Sequence, residues 1–317
     1  MSAQTASPIR ESVSQSAQSF HQCWYPLGLA GEFTPGKVVG RDFLGSRVVA
    51  YRDPAGTIVV QSAWCPHLGA DLSVGELVDG QIRCAYHHWR FDTKGVCAHI
   101  PTGDKIPPGA KIATYPSAEA WGLVWAFNGR TPTFDPPRIP DALEAELVVE
   151  TYIRGLRNID PWIGVSNGVD FQHLRTLHGF PAILTPEALT VGDHSIEFSV
   201  AGPGYSQHGL ISGTNSFSQH LTTASNDMFM LFTGCSVAAS RSMGYYAIGV
   251  RKGMPEAERQ ARLKALKQFV DKLYGEDDAV LSTIRFRKGV LIAADRHLSR
   301  FLKYVDEYPR AEPLVVA

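Results

Sequence analysis

Two short stretches of this sequence each combine one cysteine with one histidine. Cys65 and His67 are separated by a single residue, and Cys84 and His87 by two, with sixteen residues between His67 and Cys84. Two thiolates can hold one iron of a two-iron, two-sulfide cluster while two imidazoles hold the other. Because neutral imidazole replaces negative thiolate, such a cluster accepts an electron more readily than an all-cysteine cluster. The pattern predicts a one-electron redox centre.

A structural zinc site is the alternative for these four residues, because Cys and His at short spacing also bind Zn²⁺. Zinc modules usually place two cysteines in one pair and two histidines in the other, within a short unit that contains a helix. Here the pairs are mixed and lie in strand-rich sequence. Four aromatic residues nearby can shield a cluster from water: Trp64, Tyr86, Trp89 and Phe91. The [2Fe–2S] cluster is therefore the favoured interpretation.

A further group of chemistry-bearing residues lies between Asp170 and His178. Asp160-Pro161 favours a helix start, and on a helix Asp170 and His173 share one face. His173 and His178 are five residues apart, about 140° around a regular helix. They can share one metal only if the helix loosens near its end, where Gly179–Pro181 follows. Two histidines and one carboxylate form the set that binds Fe(II) and leaves positions open for O₂ and a substrate.

The missing carboxylate has candidates in the acidic run 276–278, ahead of an apolar pattern that predicts a helix. Asp277 shares the face of Leu281 and Ile284, whereas Asp278 faces water. We therefore expect Asp277 to be the third ligand, with Asp278 as the fallback. Either acid is also explained as a helix N-terminal carboxylate that the helix dipole favours. The histidines on their own are equally compatible with ordinary core or surface positions.

Composition narrows the class of protein. The chain has 317 residues, 44% hydrophobic and 19% charged, with a net charge of −1. That balance argues against a nucleic acid partner, since no basic excess exists to neutralise phosphates. The sequence contains no apolar run of ~18 residues, so we expect no membrane-spanning helix. The remaining cysteines, Cys23, Cys97 and Cys235, are expected to be buried thiols, which predicts a reducing, cytoplasmic location.

The chain divides into three predicted parts. Residues 1–22, rich in Ser, Gln and Ala, are expected to form a surface arm. Residues 23–131 show short strands and turns, including a hairpin around Asp53–Gly56, which predicts an all-β domain. Four prolines between residues 132 and 140 indicate a linker. Residues 132–317 show strands and then helices, so this domain is predicted to be α+β.

Together these motifs resemble the large (alpha) oxygenase subunit of the Rieske non-haem iron oxygenases. The resemblance rests on Cys-Pro-His-Leu-Gly at 65–69, His-x-Trp-x-Phe-Asp at 87–92 and Asn-x-x-Asp-x-x-His-x-x-x-x-His at 167–178. It extends from Trp24 to the last predicted helix. His88 stands where many members have glycine, and we expect a packing or surface variant there rather than a fifth ligand.

The resemblance implies a Rieske domain followed by a helix-grip catalytic domain, assembled head to tail as a homotrimer. It implies that His173, His178 and Asp277 hold a mononuclear Fe(II). Asp170 would then carry electrons from the cluster of one subunit to the iron of the next. Asn167 would lie beside the iron ligands without coordinating the metal.

The resemblance also implies a terminal oxygenase that uses O₂ as co-substrate. It would hydroxylate, dihydroxylate or demethylate a hydrophobic, aromatic or steroid-like molecule. No dinucleotide-binding glycine motif is present, so electrons are expected from a separate NAD(P)H-dependent reductase, a ferredoxin, or both. Tyr205, Asn215 and Phe217 are expected to contact the substrate. The alternative function is a Rieske electron-transfer or redox-sensing protein with a non-catalytic C-terminal domain.

Overall fold

The computed structural model describes residues 19–180, 185–287 and 289–311. Within these ranges the chain forms eighteen strands and four α-helices. Most of the predicted N-terminal arm, residues 1–18, lies outside the described residues, and so does Pro181. None of the helices in the described ranges combines the length and apolarity that a membrane crossing requires.

The N-terminal half of the described chain is built from short antiparallel strands in three small sheets. Their orders are β1-β11-β10, β2-β3-β4-β9 and β5-β6-β7-β8. The strands are β1 (Trp24–Leu29), β2 (Val39–Phe43), β3 (Ser46–Arg52), β4 (Ile58–Ser62), β5 (Glu76–Val78), β6 (Gln81–Arg83), β7 (Arg90–Phe91), β8 (Cys97–His99), β9 (Thr114–Tyr115), β10 (Ser117–Ala120) and β11 (Leu123–Phe127). Residues 19–131 contain no α-helix, which confirms the predicted all-β character.

The predicted hairpin joins β3 to β4. The Asp53 carboxylate accepts hydrogen bonds from the backbone N–H groups of Ala55 at 2.9 Å and Thr57 at 2.8 Å. Gly56 has a φ of +86°, which glycine adopts without steric cost. The turn therefore forms where Asp, Pro and Gly indicated it.

The C-terminal half is one seven-stranded antiparallel sheet with helices, in the order β12-β18-β17-β16-β15-β14-β13 among the described residues. Its elements are β12 (Leu147–Arg157), α1 (Pro161–Ser166), α2 (Phe171–Thr176), β13 (Thr190–Val191), β14 (Ser195–Gly202), β15 (Tyr205–Ser212), β16 (Ser216–Thr223), β17 (Asp227–Ala238), β18 (Arg241–Arg251), α3 (Glu256–Leu281) and α4 (Arg296–Glu307). Helix α3 buries Leu263, Leu266 and Val270 in one core with sheet residues that include Met230 and Ile248. The predicted α+β class is confirmed.

Two details of the predicted helices were wrong. The segment that begins at Pro161 is two short helices rather than one, because the turn at residues 167–170 separates α1 from α2. The acidic run 276–278 does not precede a helix but lies inside the C-terminal part of α3. The apolar pattern wrongly predicted a helix that starts after the acidic run, because Ile284 was counted together with Leu281. Leu281 is the last residue of α3, and Ile284 lies beyond the helix and is 39% exposed.

The two halves share hydrophobic cores. Trp24 and Trp125 from the N-terminal half are buried in one cluster with Phe229 and Tyr245 of the large sheet. Such shared cores fix the two halves against each other, since separating them would expose large aromatic side chains. The exact domain boundary at residues 131 and 132 stays a prediction.

Candidate metal centres and the adjoining cavity

Each cysteine–histidine pair lies on a loop that is closed by its own backbone hydrogen bonds. In the first loop, Cys65 N–H donates to the carbonyl of Ala70, and Gly69 N–H donates back to the carbonyl of Cys65, both at 2.9 Å. In the second, Cys84 N–H donates to the carbonyl of Trp89 at 2.9 Å. The loops are therefore set by local turns, as the Gly and Pro content indicated.

The four candidate cluster ligands form a layered arrangement. Cys65 and Cys84 are 3% and 1% exposed, whereas His67 and His87 are exposed. The two imidazole centroids lie 4.4 Å apart, and Trp89 stacks on the His67 ring at 4.5 Å. Burial raises the pKa of Cys65 to about 12. A buried thiolate needs a compensating cation, so a pair of buried thiols beneath a pair of imidazoles fits a [2Fe–2S] cluster.

His88 follows the second histidine of this set and has a left-handed backbone. Its φ is +57°, and its N–H donates to the carbonyl of Cys84 at 3.0 Å. A non-glycine residue in this region is strained by about 1–2 kcal/mol. This conformation explains why glycine suits the position.

The second candidate centre joins α2, the turn that follows it and the C-terminal part of α3. One nitrogen or oxygen atom from each of His173, His178 and Asp277 lies within 4.8 Å of the others. Asp277 Oδ1 is 2.9 Å from His173 Nε2 and 3.3 Å from His178 Nε2. Since α2 ends at Thr176, His178 lies past the helix, in the loosened turn before Gly179, whose φ is +67°. The bend brings both imidazoles to one carboxylate.

Neighbouring contacts prepare these three residues for a cation. His178 Nδ1 lies 2.7 Å from Glu276 Oε2, and this hydrogen bond lowers the pKa of Glu276. Such a contact fixes the imidazole with its Nε2 lone pair free for a metal. Asp277 lies towards the C-terminal end of α3, where the helix dipole disfavours a further negative charge and favours a cation. Two nitrogens and one oxygen fit Fe(II).

The fallback ligand, Asp278, lies elsewhere. Its Oδ1 accepts a hydrogen bond from Arg154 at 2.6 Å and forms an ion pair with Arg157, both on β12. Adjacent helix positions differ by about 100° around the axis, so only one of two consecutive acids can face the histidines. In this fold that acid is Asp277.

Asp170 and Asn167 lie close to the candidate iron ligands, one at the start of α2 and the other at the end of α1. Asp170 is the N-cap of α2, and its Oδ1 accepts a hydrogen bond from the backbone N–H of His173 at 2.9 Å. His173 Nδ1 is buried and has no hydrogen-bond partner in the described part of the chain. Asn167 is the C-cap of α1 and lines the cavity beside the histidines.

A cavity of about 120 Å³ lies against the three candidate iron ligands, with apolar walls that include Leu174, Phe217 and Phe232. A second cavity of about 430 Å³ continues from it, towards the side of Tyr205. The two share four lining residues: Leu174, Gln207, Gln219 and Leu273.

The three predicted substrate contacts differ in outcome. Phe217 lines the inner cavity and Tyr205 the outer one. Asn215 is in neither lining, because its buried amide donates hydrogen bonds to the carbonyls of Trp24 at 2.9 Å and Gly234 at 3.0 Å. That position was wrong, since the amide ties the two halves of the molecule together.

Sequence reasoning missed Gln207 and Gln219, although a signal was available. Gln207 alternates with Gly209 and Ile211 on β15, and all three are buried. A glutamine at an inward position of a strand is unusual, because this residue type is mostly exposed. An inward-facing polar residue beside a predicted metal site is a candidate for ligand contact.

Comparison with known proteins adds the following. Residues 23–116 match the Rieske [2Fe-2S] domain, and this range includes all four candidate cluster ligands. The chain is 33% identical over 165 residues to cholesterol 7-desaturase nvd of Bombyx mori, covering 49% of this chain and 35% of that protein. It is 34% identical over 173 residues to aminopyrrolnitrin oxygenase PrnD of Pseudomonas fluorescens, covering 50% and 46%. The chain thus spans less than half the length of each of these relatives.

Among solved structures, NdmA of Pseudomonas putida CBB5 with caffeine superimposes with a TM-score of 0.75. The match is 19% identical and covers 90% of both chains, and at that identity it concerns the fold. The predicted resemblance to the oxygenase subunits of Rieske oxygenases is therefore confirmed: residues 23–116 match the Rieske [2Fe–2S] domain, and 90% of the chain shares the fold of NdmA.

Proposed function

We propose that this chain is the terminal oxygenase component of a multicomponent Rieske oxygenase. It would use O₂ and externally supplied electrons to hydroxylate, dihydroxylate or demethylate a hydrophobic organic molecule. The observation that carries the proposal is the convergence of His173, His178 and Asp277 on the wall of a mostly apolar cavity, in a chain that also has a Rieske domain. An electron carrier would need neither the convergence nor the cavity.

The residues divide the work between two places. When bound, the cluster supplies one-electron transfer and the ferrous ion supplies activation of dioxygen. His67 and His87 bring the cluster end of the chain to the surface, where electrons enter. Leu174, Phe217 and Phe232 exclude water from the inner cavity and hold an apolar substrate beside the iron ligands.

The electron donor is proposed to be a separate reductase, a ferredoxin or both. Two large apolar side chains flank the candidate cluster histidines at the surface: Leu68, 65% exposed, and Tyr86, 64% exposed. Apolar and aromatic side chains around a redox centre suit a transient protein contact. The surface around His67 and His87 is also available to a neighbouring subunit in the proposed head-to-tail homotrimer.

In that assembly Asp170 is the proposed bridge to the iron of the next subunit. Its carboxylate is held at the start of α2 by the backbone N–H of His173, and the buried Nδ1 of that histidine has no hydrogen-bond partner among the described residues. The five cysteines are all free thiols, which supports a reducing compartment such as the cytoplasm.

Iron content and product formation test the proposal together. Purified chain is loaded with Fe(II) under anaerobic conditions and supplied with a surrogate reductase, NADH and O₂. A panel of sterols, arylpyrroles and methylxanthines follows the names of the relatives. About three irons per chain and a product heavier by one or two oxygens, or lighter by a methyl group, are expected.

The control is His173→Ala, which should keep about two irons and form no product. About two irons in the wild-type chain after loading, with no product, would instead identify the electron-transfer or redox-sensing alternative. A colourless protein in which metal analysis finds bound zinc would identify the zinc site.

A further inference from the structure

Two glutamines on neighbouring strands stand where the inner and outer cavities meet. Gln207 lies on β15 and Gln219 on β16, diagonally across the strand pair, and both line both cavities. Gln207 is only 5% exposed. The other two residues shared by the cavities are apolar, Leu174 and Leu273. The two cavities thus form one passage with mostly apolar walls, and the two amides are the polar groups at their junction.

The two amides belong to a chain of hydrogen bonds that runs in one direction. Tyr205 donates its hydroxyl proton to Gln207 Oε1 at 2.8 Å, and Gln207 Nε2 donates to Gln219 Oε1 at 2.6 Å. Among the described residues, Gln219 Nε2 then meets only the sulfur of Met230, at 3.9 Å. A thioether is a weak acceptor, so the last amide keeps donor capacity. In an apolar passage, an unmet donor favours a ligand that brings an acceptor.

The charges around the passage indicate a neutral ligand. The arginines that line the cavities are already paired: Arg154 and Arg157 with Asp278, and Arg262 with Glu258. Asp227, at the outer cavity, is paired with Arg251. At the junction of the cavities, an anionic group would therefore lose its hydration without gaining a free cation from these lining residues, and the one cation proposed nearby is the Fe(II) beside His173 and His178.

We infer that Gln219, held by Gln207, orients the substrate through a neutral carbonyl oxygen, such as that of a ketone, an amide or a lactam. The carbonyl lies at the junction of the cavities, and the apolar part to be oxidised extends past Leu174 to His173 and His178. This inference rests on the proposed function, because it gives the substrate class of the same site. Gln219 is a specificity-determining residue.

Equilibrium binding of matched probes tests it. Indane, 1-indanone and indane-1-carboxylate share one ring system and differ in the acceptor they carry. Affinities are measured by calorimetry, without oxygen or reductase, on chain with both metal centres filled. In the wild type, 1-indanone should bind about tenfold more tightly than indane, the effect of one net hydrogen bond in an apolar site. Indane-1-carboxylate should bind no more tightly than indane.

Substitution of Gln219 should remove that preference. Gln219→Leu is expected to bring the affinity ratio of 1-indanone to indane close to one while indane binds within about twofold of wild type. Gln219→Glu, which replaces the donor by an acceptor, should make 1-indanone the weaker ligand. Gln260→Leu, on the exposed face of α3, is the matched control and should keep the wild-type ratio. If Gln219→Leu lacks the wild-type circular dichroism spectrum, Gln219→Met replaces it.

Equal binding of indane and 1-indanone to the wild type, or an unchanged ratio in Gln219→Leu, would overturn the inference. Binding of the carboxylate more tightly than indane would do the same if Gln219→Leu removed that advantage, since the anion would then be held by the amide rather than by the iron. Because no turnover is involved, a chain with the expected ratio and no oxygenated product would support the amide assignment and remove only the oxygenase proposal. Product formation by a chain that binds 1-indanone and indane equally would support the oxygenase proposal and remove only the amide assignment.

Discussion

The two candidate metal centres are built in different ways. The cluster ligands lie on two short loops, each closed by hydrogen bonds between residues a few positions apart. The candidate iron ligands come from segments 104 positions apart, and only the packing of α3 against the large sheet brings Asp277 to His173. One centre is exposed at its histidines, whereas the other lies against an internal cavity.

The difference separates two kinds of sensitivity. Turn geometry protects the cluster loops from changes elsewhere in the fold, since their contacts are local. The iron site depends on every element between α2 and α3, so a distant change can disturb it. The exposed centre suits exchange with a protein partner, and the enclosed centre suits chemistry on a small molecule.

The largest effect is expected from loss of a cluster thiol. Cys84→Ser should abolish the visible absorption of the cluster and reduce turnover by more than a hundredfold, because thiolate is the ligand that the cluster requires. Cys97→Ala, a buried cysteine in the same core, is the control and should keep the absorption spectrum. If Cys84→Ser retains the cluster absorption, the assignment of this loop is wrong.

Loss of the distant carboxylate should affect only the second centre. Asp277→Asn should weaken Fe(II) binding by about a hundredfold or more while the cluster spectrum stays unchanged, because a neutral amide is a poor ligand for a hard cation. Iron analysis after anaerobic loading measures this. Asp278→Asn is the matched control, one residue away, and should keep the iron. Equal losses in both variants would mean that the two acids act through the fold alone.

A third substitution keeps both centres and breaks the connection proposed between them. Asp170→Asn should leave both metals bound and reduce turnover by about a hundredfold, because the bridging carboxylate is lost. Asparagine is as good an N-cap as aspartate, so α2 should be preserved. Rapid-mixing reduction of the cluster, followed by its reoxidation with substrate and O₂, locates the defect. Turnover at the wild-type rate would refute the bridge.

Acid should remove a stabilising contact between Asp141 and two histidines of the large sheet. Asp141, in the linker region, is 3.0 Å from His208 Nδ1 and 2.9 Å from His220 Nδ1. Burial acts to raise the pKa of Asp141, but the hydrogen bonds from His220 and His208 outweigh it and lower the pKa below its usual 3.8. A folded pKa below the unfolded one stabilises the protein above the unfolded value, and the contribution is lost as pH falls through the folded value.

Asp141→Asn should therefore lower the free energy of unfolding by at most about 1 kcal/mol at pH 7, since Asp141 is largely exposed. The difference from wild type should begin to shrink as pH falls below the usual 3.8 and should disappear once pH is below the lowered pKa of folded Asp141. Asparagine tolerates the left-handed φ of +62° at this position, so the backbone is not the cause. Urea unfolding at each pH measures the difference. A difference that persists at low pH would exclude the carboxylate charge as its source.

The smallest effect concerns the cluster loop itself. His88→Gly should raise the free energy of unfolding by about 0.5–1 kcal/mol, because glycine relieves the left-handed strain and the greater freedom of the unfolded chain offsets part of the gain. The cluster spectrum should persist. Loss of the cluster in His88→Gly would show that the imidazole does more than occupy a strained position.

Sequence reasoning reached the fold class and the all-β character of the first half because strands and turns there follow local chemistry, as in Asp53–Gly56. It reached His173 and His178 as a pair only through the break expected at Gly179. The two-helix form of residues 161–176 escaped it, although Asn167-Gly168 at the start of the intervening turn is a dipeptide that marks turns.

The prediction of Asp277 as the third iron ligand rested on an incomplete reason. Asp277 shares the face of Leu281, as predicted, but the acids are near the end of α3 rather than before a helix. Asn215 is a different case, because it was expected to contact the substrate, whereas two backbone carbonyls hold its amide. Only tertiary packing distinguishes these cases.

The position of helix α3 also determines how long the candidate iron site stays intact. Its 26 residues extend about 39 Å as one rod, which packs on the sheet through Leu263, Leu266 and Val270 in its middle part and carries Asp277 near its C-terminal end. A shift of the rod by a single residue would turn Asp277 by about 100° from the histidines. Loss of packing between α3 and the sheet would thus release the iron, and this release should be measurable before any strand has unfolded.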